Sequence, residues 1–164
     1  MDPNLTYNIY TGVIWDWRVA TDLFAGGVGV GAFLFAFALW RFGGEGQRKL
    51  AQTASVIPPI AVSIGLLLLF WKLGNRLNAY QMGLNLASTS TMWWGAFIQG
   101  VFVALSVVFA YRLLFPSSRL LAFLTPGLVG WIGAVFAGIV GVYHGFLLAT
   151  ITSFPVWASG AMGM

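Results

Sequence analysis

Four apolar runs, at roughly 18–41, 53–73, 91–115 and 122–151, decide what this sequence can become. Each is at least as long as the ~20 residues that one helical crossing of a bilayer requires. Only 7% of the residues are charged and 59% are hydrophobic, too much apolar surface for a water-soluble domain of 164 residues. Within lipid, backbone polar groups must be satisfied inside the segment, so apolar runs of this length are helices. The expected fold is therefore all-α: a polytopic membrane protein, residues 1–164 forming a single membrane domain with a four-transmembrane-helix bundle. The flank Met1-Asp2-Pro3-Asn4 lacks a basic region and the first run is long, so it reads as a membrane span and not as a signal peptide.

The basic residues orient the bundle. Arg41, Arg48, Lys49, Arg112 and Arg119 lie at the first and third loops, whereas Arg18, Lys72 and Arg76 share the opposite side with Asp2, Asp16 and Asp22. This bias places the first and third loops in the cytoplasm and both termini on the outer (periplasmic) side. The net charge of +4 is spread over helix ends, which argues against a nucleic-acid surface. There are no cysteines to hold an iron–sulfur cluster, and a single histidine excludes a bis-histidine haem.

Punctuation between the spans is clear. Residues 1–17 carry Tyr7, Tyr10, Trp15 and Trp17, as an interfacial anchor would. Phe42-Gly43-Gly44-Glu45-Gly46 reads as a tight turn. Pro58-Pro59 should kink the second span or delay its start by a turn. The loop at about 75–91 is the longest and most polar, and Pro116-Ser117-Ser118 ends the third span.

Polar residues near the membrane surface are the candidates for chemistry, because charges there face protein, trapped water or a ligand. Asp16 shares a helix face with Ala20, Leu23, Gly27 and Gly31; it sits either in interfacial water or against a pocket. Asp22 lies on another face with Arg18, Gly26 and Gly29, and its spacing from Arg18 allows mutual neutralisation. The glycines of the first span serve close packing or ligand access. In the fourth span Gly133, Ala137, Gly141 and Gly145 form a four-residue stripe that His144 joins, as a packing residue or a ligand, while Tyr143 points away from it. Lys72 and Arg76, one turn apart, either snorkel or dock an acidic partner.

Several segments, in order, resemble the NrfD/PsrC family of membrane subunits of polysulfide reductase, nitrite reductase and related complexes. Trp15-Asp16-Trp17, followed by Asp22-Leu23-Phe24-Ala25-Gly26-Gly27-Val28-Gly29-Val30-Gly31-Ala32, is similar to that family's opening helix. Phe70-Trp71-Lys72-Leu73-Gly74-Asn75-Arg76, and then Ser90-Thr91-Met92-Trp93-Trp94-Gly95, resemble its Leu-Gly-Arg and Met-Ser-Trp-Gly stretches. Gly141-Val142-Tyr143-His144-Gly145-Phe146-Leu147-Leu148, with Pro155-Val156-Trp157, resembles its fourth helix.

The resemblance implies a quinone-reactive subunit without haem, in the cytoplasmic (inner) membrane of a prokaryote, binding a quinone such as menaquinone near the outer surface. By the same resemblance, Asp16, Tyr143 and His144 would contact the quinone and Arg18 and Asp22 would support them. Lys72, Arg76, Asn78 and Gln81 would meet an iron–sulfur electron-transfer subunit, itself coupled to a catalytic subunit of molybdopterin or similar type. Lys72 and Asn75 depart from the family's acidic residue and arginine, and His144 replaces its threonine. The family usually has eight or more spans, so four suggest a split subunit, a homodimer mate in place of the missing half, or a reduced anchor. Two other functions fit the residues: a structural anchor without quinone chemistry, and a small proton-conducting subunit using Asp22 and His144. The latter should carry polar residues through the membrane's depth, whereas the second and third spans offer little beyond Ser63, Gln99 and Ser106.

Overall fold

The computed structural model describes residues 17–72, 91–119 and 123–149. They form four long helices: α1 (Trp17–Phe42), α2 (Arg48–Lys72), α3 (Thr91–Leu114) and α4 (Pro126–Ala149). With 26, 25, 24 and 24 residues, all four are long and apolar enough to cross a membrane. At 1.5 Å per residue they measure about 36–39 Å, against a hydrocarbon core of ~30 Å. Phe24, Phe35, Leu67, Trp131 and Phe146 are each more than half exposed on the outside of the bundle. Such a surface would drive aggregation in water and is neutral in lipid.

Short connections set the helix order. Gly43 N donates to Leu39 O at 2.9 Å to close α1, and Gln47 N donates to Gly44 O at 3.0 Å in the 3₁₀ turn Glu45–Gln47 that leads into α2. α1 and α2 are thereby antiparallel neighbours and share the largest contact in the bundle. α3 packs on α2, and α4 packs on α3 and returns to α1, closing a ring of four. α4 starts at Pro126, where a missing N–H is no loss, and Thr125 Oγ1 caps it by accepting from Leu128 N at 3.3 Å.

Pro58 and Pro59 both lie inside α2, which begins ten residues before Pro58 and continues through them. Of the two outcomes expected from the sequence, a kink or a later start, the later start does not occur. The carbonyls of Ala54 and Ser55 lose their usual donors four residues on, but Pro58 is fully buried in the packed bundle. Gly29 of α1 makes that contact possible: a Cβ there would collide with Val62 and stand 3.4 Å from the Pro58 carbonyl oxygen.

The core is aromatic on one side and glycine on the other. Phe33, Phe102 and Phe109 are fully buried, with the Phe33 ring 5.4 Å from Phe102 and 5.1 Å from Phe109. Gly133 and Gly130 of α4 receive the Phe33 and Phe37 rings, and a Cβ on either glycine would overlap them. The buried face of α4 runs through Gly133, Ala137, Val140 and His144, while Gly141 is exposed. A strict four-residue stripe drifts ~40° per step around a 3.6-residue helix, which carries Gly141 out of the interface.

Candidate functional site

Because α1 and α3 start where α2 and α4 finish, the ring gathers residues distant in sequence at one end. Asp22 from α1, Gln99 from α3 and His144 from α4 meet there, only 3%, 1% and 7% exposed. They lie about 8–12 Å along their helices from the ends. At that depth an unpaired polar group costs several kcal/mol, so each must find a partner inside the bundle.

Gln99 supplies the partners. Its Nε2 lies 2.7 Å from His144 Nε2, and the Asp22 carboxyl takes a side-chain hydrogen bond from Gln99. Gln99 Oε1 has no partner among the described residues, so both bonds use the hydrogens of one amide nitrogen. An amide N–H can only donate, hence His144 accepts at Nε2 and carries its single ring proton on Nδ1. The bundle thus holds an imidazole, a carboxyl group and an amide oxygen without a partner among the described residues in one network.

Three glycines make room for Asp22, His144 and the neighbouring Tyr143. A Cβ at Gly26 would overlap the His144 ring, one at Gly65 would meet Asp22 Oδ1, and one at Gly95 would overlap the Tyr143 phenol. Tyr143 is half-buried beside His144, with ring centroids 5.8 Å apart. Below the cluster, Phe33, Phe102 and Phe109 fill the bundle, and the Ser106 hydroxyl donates to Phe102 O of its own helix at 2.7 Å.

The sequence-derived candidates divide accordingly. Tyr143, His144 and Asp22 come together. Arg18 lies one turn before Asp22, its guanidinium 5.7 Å from the Trp17 ring centroid. Asp16, Arg76, Asn78 and Gln81 lie outside the described residues, and Lys72 is the last residue of α2. The face of α1 that Asp16 would extend, through Ala20, Gly27 and Gly31, is exposed. Gln99, in the sequence one of the few polar residues of its span, is the hub of the cluster. The available signal was its place in a deeply apolar helix four residues after Gly95: an amide there must bond across the bundle.

The sequence is 28% identical over 166 residues to Protein NrfD of Escherichia coli (strain K12), covering 89% of its own length and 52% of that protein. It is also 28% identical over 163 residues to the C subunit of polysulfide reductase from Wolinella succinogenes, covering 90% of its own length and 51% of that subunit. It therefore spans about half the length of the curated relatives it matches. No solved structure matches it significantly. The family described as "Polysulphide reductase, NrfD" matches residues 6–164, nearly the whole sequence, and the chain belongs to that family.

Proposed function

We propose that this protein is a quinone-binding membrane subunit of a polysulfide-reductase-type respiratory complex. The observation that carries the reading is the buried Asp22–Gln99–His144 network, with the Tyr143 phenol beside it, at one end of an NrfD-family bundle. A quinone has two oxygens that need a hydrogen-bond partner in each redox state. Tyr143, His144 and Gln99 Oε1, which has no partner among the described residues, offer donors and an acceptor of that kind. A bound quinol supplies two electrons and two protons; the protein's part is to position it and move the protons.

Tyr143 donates its phenolic hydrogen to one substrate oxygen, and Asp16 takes a proton at the surface directly or through water. His144 gains a proton at Nε2 only when Gln99 turns its amide over, so that Oε1 accepts from the new N–H. That turn withdraws the amide hydrogen from Asp22, which links the protonation of the two groups. Gln99 is in this scheme a positioning residue. Arg18 and Asp22 support the site, and both termini lie on the outer side of a prokaryotic inner membrane. Lys72, Arg76, Asn78 and Gln81 form the docking face for an iron–sulfur subunit that exchanges electrons with the quinone and is coupled to a catalytic subunit of molybdopterin or similar type.

The test uses the complex assembled with this subunit. Tyr143→Phe, His144→Gln and Asp16→Asn should each lower quinone-linked turnover by roughly 10²-fold, the low end of general acid–base contributions, without loss of assembly. Gln99→Leu should also assemble, and should shift the pH profile of turnover toward that of His144→Gln. Parent-like turnover in all four would leave only a structural anchor.

A further inference from the structure

The opposite end of the bundle carries a feature that quinone chemistry does not use. Arg48 of α2 and Arg112 of α3 line one cavity of about 170 Å³, together with Gln52, Trp40, Pro116 and Pro126. Arg112 donates from Nη1 to Ser118 O at 3.0 Å, but its Nε is buried with no partner among the described residues. Gln52 Nε2 donates to Leu113 O at 2.7 Å and fixes the wall between α2 and α3. Among the described residues this end holds Arg41, Arg48, Lys49, Arg112 and Arg119 against a single acid, Glu45. Two arginines lining one small cavity give it a positive potential that an anion would balance.

A second cavity adjoins the first, because Gln52 lines both. It is a groove of about 850 Å³ that starts at Lys49 and continues past Val56, Ile57, Ile60 and Ile64 of α2. From residue 49 to residue 64 the helix rises about 22 Å, more than the ~15 Å half-thickness of a hydrocarbon core. A basic cavity at the head of a long apolar groove matches a molecule with an anionic head and a hydrocarbon tail.

We propose that this end of the bundle is a binding site for an anionic phospholipid. Its phosphate sits between Arg48 and Arg112, with Arg112 Nε as a donor, and one acyl tail lies in the Ile57–Ile60–Ile64 groove. Basic cavities between membrane helices bind such head groups elsewhere by the same electrostatics.

The experiment is native mass spectrometry of the purified complex, followed by rebinding after delipidation. The probes are phosphatidylglycerol, phosphatidylcholine and inorganic phosphate, each added separately. Retained lipid should be anionic, and phosphatidylglycerol should bind well above phosphatidylcholine. Arg48→Gln should weaken it about fivefold, and Arg48→Gln with Arg112→Gln further still. Ile60→Trp, which fills the groove without touching the charges or the Ser118 contact, should weaken it as well. Equal binding of both lipids, or indifference to Arg48→Gln and Ile60→Trp, would overturn the proposal. So would binding of inorganic phosphate with no retained lipid, or protection of the groove by another protein in cross-linking.

Discussion

At the scale of the residue, the glycines are the most selective part of this sequence. Gly26, Gly65 and Gly95 each accommodate one side chain of the polar cluster, whereas a Cβ at Gly27 or Gly31 would meet nothing within 4 Å. Gly26→Ala should therefore displace the His144 ring and break its bond to Gln99. We expect turnover of the assembled complex to fall about as far as in His144→Gln, while Gly27→Ala and Gly31→Ala stay near the parent. A comparison of the three alanine variants in one turnover assay checks this. The sequence displayed these glycines plainly but not their separate roles. Periodicity within one helix tells which residues share a face; it does not tell which residue of another helix stands opposite. Gln99 was obscure for the same reason, its two partners lying on helices 77 residues before it and 45 residues after it.

At the scale of the element, packing depends on aromatic rings entering glycine sockets. Phe33 is fully buried against Gly133, whereas Phe35, two residues on, is 53% exposed toward lipid. In a membrane the transfer part of a cavity-forming mutation is small, since lipid is as apolar as the core, and lost packing remains. Phe33→Ala should thus destabilise the bundle by ~2 kcal/mol, below the 3–5 kcal/mol typical of soluble cores. Phe35→Ala should change little. Denaturation midpoints in one mild detergent separate the two. Four long apolar helices were legible from run length alone, because the bilayer imposes that length. The course of α2 was not: the prolines at 58 and 59 signal a break, and only burial against α1 shows why the helix continues.

At the scale of the whole molecule, the excess of positive charge and the buried polar network lie at opposite ends. The basic loops mark one end, and the Asp22–Gln99–His144 network lies near the other. With the basic end in the cytoplasm, Gly44→Cys should react with a membrane-impermeant maleimide in inverted vesicles and not in intact cells. The parent has no cysteine, so the background is clean. The reverse labelling would turn the molecule over and move the proposed quinone site to the other face.

The stacked Phe33, Phe102 and Phe109 rings also have an electrical meaning. Packed below the cluster, they separate it from the basic end with side chains that carry no proton. A proton that reaches His144 from the nearer end crosses less than about a third of a ~30 Å hydrocarbon core. Driving a unit charge fully across costs ~2.3 kcal/mol per 100 mV, and a proton stopping at the cluster feels only a fraction of that. A quinone site at that depth would be largely indifferent to membrane voltage.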